Sequence, residues 1–483
     1  MSTLDAGFYF VEHENVPMHI GSLAVFEGPA PAYPDLLALY AAKLPGEPRY
    51  RQVVRSMPLQ ALRPFWADDQ HFELTYHVRH AGVPPPGGTA ELREMAARVL
   101  AQRLDRARPL WEAWFLEGLA GGRWAILSKV HHCMVDGVGG SDLLAALFDL
   151  SPEPPDLPEP PPWRPRPGPP LVEVLAGGAL DMLTWPVHEA AELPGLVRTR
   201  LPGPAAMLRF GRGLAGSARR LAAPAASSLN GPISPHRRWR WARLNLDEVK
   251  EVKRARGVTV NDVVLAAITA GFRDLLAVRG ELADGVVVRS LVPVSLRGAD
   301  EHELVSNKIS AVLANLPAGQ ADPLARLSGL HRQMENLKRT GQAAGAEMLT
   351  GLLGLAAPSL LALGTRSAFR LPQPLVQTVT TNVPGPQIPL YLLGRKLAEL
   401  YPYVPIGDNV RIGIAIFSYT GEVTFGITAD YSTVAESELD VLVEGIGAGL
   451  AELLALVRPP RKGRKAGKPA QRPAYRRRAA GSR

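Results

Sequence analysis

Cysteine occurs once in the 483 residues, at Cys133, so no intrachain disulfide can form. Long apolar runs are scarce as well. The most apolar stretch, Met348 to Gly364, contains Pro358 and falls short of the ~20 residues a spanning helix needs. It reads as a buried helical hairpin, with a helix lying on a membrane surface as the alternative. The N-terminus has no basic segment followed by an apolar core, so no signal peptide is expected. With the lone thiol, this points to the cytoplasm. No repeat of fixed period is present. Residues 459–483 carry ten Lys and Arg side chains and no acid. Removing those ten from the net +8 leaves −2 on residues 1–458. The basicity therefore belongs to a tail and not to the body. Such a block is a solvated, disordered extension, or it holds the protein against an anionic membrane or lipid-body surface. Nucleic acid is not expected as a partner, because no accompanying fold motif supports it.

The rest is ordinary globular material. Hydrophobic residues make up 46% and charged residues 21%, enough for a large core divided into two or three domains. Residues 20–26 read as a strand, and 34–43 and 90–103 carry helical spacing. Trp124 to Val130 reads as a buried strand ending at a His pair. Ser141 is placed to cap a helix from Asp142 to Leu150. Residues 152–170 hold eleven prolines, which excludes helix and central strand and implies an extended linker. Residues 171–230 look helical, broken by Pro186, Pro194, Pro202 and Pro204. Beyond Arg237 a second α/β region is expected, with helices at 247–256 and 260–278 and strands at 286–294, 410–418 and 423–429. Tyr419-Thr420-Gly421 joins the last two as a hairpin. The segments are 1–151, an N-terminal domain; 152–236, linker and helical crossover; 237–458, a C-terminal domain; and the tail, 459–483.

Chemistry concentrates at His131-His132-Cys133-Met134-Val135-Asp136-Gly137. A histidine accepts a proton near neutral pH, which is what an attacking hydroxyl requires. A carboxylate four residues on can orient the ring or anchor the loop. Gly137, with Gly139-Gly140, permits a sharp turn. Two His and an Asp can also be metal ligands, but the other nine His show no spacing that completes a site, so no metal is expected. A lone His-x-x-x-Asp also arises by chance. Cys133 reads as a small buried hydrophobe. Thr259 and Asp262 have capping-box spacing. That sets Asn261 in the first turn of a helix, where it either supports an oxyanion or simply belongs to a helix start. Arg297 ends a strand-like run and is either solvated or paired with a carboxylate such as Asp136.

Further blocks stand in order along the chain: Leu4-Asp5-Ala6-Gly7-Phe8, Met18-His19-Ile20-Gly21, Pro109-Leu110-Trp111, Asn261-Asp262, Val292 to Arg297, Asn307-Lys308-Ile309-Ser310, Thr381-Asn382-Val383-Pro384-Gly385-Pro386 and Ser418 to Gly421. Together with the His segment this set resembles the bacterial wax ester synthase/diacylglycerol acyltransferases, from about Leu4 to Leu456. Ser306 stands where that family often has Gly. The resemblance implies an α/β fold of two chloramphenicol-acetyltransferase-like domains, with the active-site channel between them. It implies long-chain acyl-CoA as donor substrate and no cofactor. The acceptor is diacylglycerol, giving triacylglycerol, or a fatty alcohol, giving a wax ester. His132 is then the general base, Asp136 orients and pairs with Arg297, and Asn261 supports the oxyanion or the base. His131 and Gly137 complete the motif. Pro109, Leu110, Trp111, Arg297, Asn307, Asn382 and Pro384 shape the channel or the structure. Acyl transfer from a carrier protein and a non-catalytic, lipid-binding relative are the rival readings.

Overall fold

The computed structural model describes residues 1, 3–56, 64–134, 146–154, 156–157, 159–168, 225–295, 309–339 and 375–458. The N-terminal part runs α1 (Thr3–Val11), β1 (His19–Phe26), α2 (Tyr33–Lys43), an antiparallel pair β2 (Gln52–Arg55) and β3 (Phe65–Asp68), the single turn α3 (Leu74–His77), β4 (Val78–Gly82), α4 (Thr89–Ala101), β5 (Trp111–Leu119) and β6 (Arg123–His131). In β6, Trp124 and Ile126 pack with Phe26, Tyr40 and Phe115, under α2. Ala125 and Leu127 pack with Leu92, Leu100 and Trp239, under α4. A strand covered on both faces needs no polar side, which is why this run is apolar almost throughout.

The C-terminal part continues with β7 (Arg237–Asn245), α5 (Leu246–Arg256), α6 (Val260–Val278), β8 (Val288–Ser295), β9 (Ile309–Leu316), α7 (Pro323–Arg339), β10 (Thr378–Pro384), β11 (Tyr391–Leu392), β12 (Arg395–Tyr403), β13 (Ile412–Tyr419), β14 (Glu422–Asp430) and α8 (Glu436–Val457). β13 and β14 meet at Thr420-Gly421, whose φ values of 39° and 84° give the two-residue turn that matches strand twist. α6 starts where the sequence places it. Thr259 Oγ1 accepts the Asp262 N–H (3.2 Å) and Asp262 Oδ2 accepts the Thr259 N–H (2.9 Å).

Among the described residues two six-stranded sheets result, ordered β11-β12-β1-β6-β5-β4 and β7-β14-β13-β10-β8-β9. They do not follow chain order. β11 and β12 come from within 237–458 yet complete the first sheet, where β12 runs antiparallel to β1. The seam between the sheets is aromatic. Tyr401 stacks on Trp241 at 4.5 Å, and Trp239 meets Tyr403 edge-on at 6.2 Å. There Gly426 of β14 passes so close to β12 that a Cβ would lie 1.6 Å from the Pro402 carbonyl oxygen. Gly426→Ala must therefore push two backbones apart. Overpacking of this kind costs about 1–3 kcal/mol or more. A chemical-denaturation midpoint unchanged from the parent would contradict this packing.

The helix expected from Asp142 to Leu150 is corrected at its end. Residues 142–145 lie outside the described residues, helix is present at 146–147, and Asp149 leaves it to exchange backbone hydrogen bonds with Tyr391 (2.8 and 2.9 Å). The described part of the proline-rich segment has neither helix nor strand. It is fastened to the first domain: the Trp163 indole donates to the Asp69 carbonyl (3.1 Å), and the Arg166 N–H donates to Asp68 Oδ2 (3.0 Å). Most of 171–230, the apolar stretch 348–364 and the tail lie outside the described residues.

Candidate active site

β6 delivers the His pair. Its last residue, His131, donates its N–H to the Leu110 carbonyl (2.9 Å), and His132 donates its N–H to the Met18 carbonyl (2.8 Å). The backbone around the pair is thereby held from both sides. The His132 ring stacks on Phe8 of α1, with centroids 3.9 Å apart. Its Nδ1 is buried and has no hydrogen-bond partner among the described residues. Burial pushes its pKa down to about 4, with His131 contributing less. The ring is therefore neutral at pH 7, the state a general base must start from.

His131 is a different residue in physical terms. It is fully buried, its Nδ1 accepts the Cys133 N–H (3.1 Å), and its Nε2 lies 3.3 Å from Glu12 Oε2, an ion-pair distance longer than a tight hydrogen bond. The same Glu12 oxygen accepts the Met18 N–H (3.1 Å), and Oε1 accepts from Arg106 Nε (3.0 Å). Although burial opposes ionisation, the neighbouring His131 ring, the Arg106 guanidinium and the Met18 N–H hold the Glu12 carboxyl down at about 2. Glu12 was not legible as a site residue. The available signal is one acid closing the aromatic run Phe8-Tyr9-Phe10-Val11, where a fully buried carboxylate needs partners.

Pro109-Leu110-Trp111 lies at the start of β5, inside the first domain. Leu110 and Trp111 are buried in the first core. The Trp111 indole donates to the Tyr50 carbonyl (2.7 Å), and its ring stacks on His77 at 4.7 Å. The approach to this segment is pinned by three basic groups. His19 Nε2 bonds the Leu100 carbonyl (2.8 Å), Lys129 Nζ donates to the Gln102 carbonyl (2.7 Å), and Arg106 donates to the Tyr9 carbonyl (2.6 Å). Lys129 is fully buried two residues before the His pair, and burial lowers its pKa to about 8. Cys133 is buried and burial raises its thiol well above the ordinary range, which fits a packing residue and not a nucleophile.

Asn261 and Asn382, from separate sequence blocks, are brought together: Asn382 Nδ2 donates to Asn261 Oδ1 (3.0 Å). Asn382 lies opposite Ile416 of β13. Phe417 and Tyr419, just beyond that partner, pack on the core that holds Cys133 and Met134. Neighbouring Asp262, besides closing the capping box, accepts from His331 Nδ1 of α7 (2.8 Å). Asn261 sits at a regular helix start, and its side chain also joins a second motif. Pro384 is exposed at the end of β10. Asp136, Gly137, Arg297 and Asn307 lie outside the described residues. Among the described residues, no three His, Cys, Asp or Glu side chains are grouped to hold a metal ion.

Comparison with known proteins decides the family. Residues 1–264 match the model of the wax ester synthase/diacylglycerol acyltransferase catalytic domain, and 305–453 match the C-terminal domain of the same family. The chain belongs to the wax ester synthase/diacylglycerol acyltransferase family. It is 38% identical over 467 residues to the probable diacylglycerol O-acyltransferase tgs1 of Mycobacterium tuberculosis, covering 94% of this chain and 96% of that one. It is 32% identical to tgs2 of the same organism, over 88% of this chain and 92% of the relative. Among solved structures, the wax ester synthase/diacylglycerol acyltransferase from Marinobacter aquaeolei VT8 superposes with a TM-score of 0.64 at 26% identity, over 95% of this chain and 99% of that one. A trichothecene 15-O-acetyltransferase from Fusarium sporotrichioides shares the fold, with a TM-score of 0.58 at 14% identity over 93% of each chain. The α/β fold of two sheet-containing acyltransferase domains is thus the one expected for this family.

Proposed function

We propose that this member of the family transfers a long-chain acyl group from acyl-CoA to the free hydroxyl of diacylglycerol, giving triacylglycerol and CoA. The observation that carries the reading is His132: a neutral imidazole at the end of a buried strand, its backbone clamped and its ring braced by Phe8. The ring takes the acceptor's hydroxyl proton as the oxygen attacks the thioester carbonyl. The tetrahedral intermediate then expels the CoA thiolate, which recovers that proton from the imidazolium. Asn261 uses its carbonyl oxygen on Asn382. Its amide N–H groups are left for a developing oxyanion, a stabilisation commonly worth more than proton transfer itself. Asp136 orients the loop, with Arg297 as its counter-charge.

A fatty alcohol in place of diacylglycerol uses the same steps and gives a wax ester. The family's name and that of the Marinobacter relative cover both activities. Incubation of the purified protein with labelled palmitoyl-CoA and either diacylglycerol or hexadecanol, followed by thin-layer chromatography, tests the reading. Labelled triacylglycerol is expected. Wax ester alone would reassign the acceptor, and no ester from either would reject acyl-CoA transfer to lipid alcohols and favour a carrier-bound donor or a binding role. We place the enzyme peripherally on anionic lipid. No described helix is long and apolar enough to cross a membrane, and the ten basic residues of 459–483 supply the attraction, at roughly 1 kcal/mol per residue near the surface. Removal of 459–483 should release the protein from phosphatidylserine vesicles while leaving turnover on detergent-dispersed substrate.

A further inference from the structure

We propose that Glu12 is a positioning residue for His132, acting by locking the adjacent His131 in one neutral tautomer; the inference rests on His132 being the base. His131 Nδ1 receives the Cys133 N–H, so it carries no proton of its own. The ring proton therefore sits on Nε2; Glu12 Oε2 lies 3.3 Å away without hydrogen-bond geometry, so the carboxylate favours that proton by its charge. That oxygen also holds the Met18 N–H, while the Met18 carbonyl receives the His132 N–H. Glu12 thus reaches the base along two short paths. One runs through His131 and the turn to Cys133, the other through the Met18 peptide. Arg106, stacked over Tyr9 at 4.1 Å and bonded to Oε1, supplies the charge that keeps the carboxylate ionised in a buried setting. No atom of this network reacts. It fixes where the His132 ring points, and an imidazole displaced by about 1 Å loses on the order of 10²-fold in rate.

Glu12→Gln is the discriminating change, because it keeps shape and reverses one donor. The glutamine oxygen can serve Arg106 or the Met18 N–H, but its NH2 then meets either another donor or the His131 Nε2–H. With the oxygen on Arg106, relief requires His131 to move its proton to Nδ1, where it confronts the Cys133 N–H; with the oxygen on Met18, the NH2 faces the Arg106 guanidinium and the anchoring charge is lost. The variant should lose about 10- to 100-fold in kcat with KM for palmitoyl-CoA unchanged. Histidine ¹⁵N spectra should show His131 as the Nε2–H tautomer in the parent, with both the His131 and His132 signals displaced in the variant. Parental kcat in Glu12→Gln overturns the proposal. So does a lowered kcat with unaltered His131 and His132 signals, which would make Glu12 merely structural. A parent spectrum with His131 protonated on Nδ1 overturns it too, whether or not the variant folds. Should the parent itself transfer no acyl group, the acyltransferase reading fails and the spectra alone decide the tautomer lock.

Discussion

His132→Ala should lower turnover by about 10²–10⁴-fold while leaving a folded protein, because the substitution removes the base and little else. The ring is not part of the network that holds the strand end. That network uses the His132 backbone N–H, which alanine keeps, and the Glu12–His131 contact next to it. The side chain's own contribution to packing is its stack on Phe8, and its buried Nδ1 has no partner among the described residues to lose. The parent and the variant should therefore unfold within a few degrees of each other in a circular-dichroism melt. His132→Gln tests the chemistry more sharply, since it restores bulk and polarity without a titratable nitrogen. Substantial activity in either variant would remove His132 from the mechanism.

Acid is expected to unfold the enzyme before it protonates His132. Two other histidines, His19 and His77, are fully buried, and each uses one ring nitrogen on a backbone carbonyl. The second nitrogen of each is buried without a hydrogen-bond partner among the described residues. A second proton would have to sit there facing no acceptor. Burial accordingly holds His77 down at about 4 and His19 well below its ordinary value. For both, the unfolded chain binds protons that the folded chain refuses. Stability is thus full above the unfolded pKa of about 6.5 and falls as the pH drops below it. For His77 the loss at pH 5 is about 2 kcal/mol, and His19 adds in the same direction. Against a total of roughly 5–15 kcal/mol, that is a large share. Glu12 reinforces the trend only lower down, between its unfolded value near 4.5 and about 2. Melts at pH 7.5 and 5.0 should differ by several degrees, and activity should vanish with the steepness of cooperative unfolding. His77→Asn, which keeps a donor for the Trp111 carbonyl but cannot take up a proton, should flatten this dependence. An equally steep dependence in that variant would exclude His77 as a source.

What could be read from the sequence depended on whether local and tertiary demands agreed. Residues 260–278 were legible as a helix to the residue, because a capping box opens an apolar run that is buried along most of its length. β7 was recognised only as the start of a new region. Its Arg238, Arg240 and Arg243 look like a solvated stretch until Tyr431, Asp440 and Glu399 are seen to receive them. β12 was missed because it contains Pro402, which ordinarily argues against an inner strand. The proline is tolerated since β11 pairs only with Arg395 and Lys396, so no ladder continues past it on that side. At the site, the His segment and the two Asn blocks announced themselves by residue type. Glu12 did not, since nothing in local spacing tells an acid at the end of α1 that its partners lie on β6 and beyond α4.

The placement of β12 also governs the order in which the molecule can come into being. A ribosome delivers β1, β5 and β6 long before it reaches Tyr403, so the nascent first sheet waits with the edge of β1 bare. That edge is His19-Ile20-Gly21-Ser22-Leu23-Ala24-Val25-Phe26, an apolar strand of the kind that recruits other chains. A fragment ending near residue 264, although it holds the His pair and Asn261, would carry this edge permanently. The catalytic segment and its missing strand therefore form one unit of inheritance: the first half of the gene cannot be exchanged, split or expressed alone without the strand that the second half encodes.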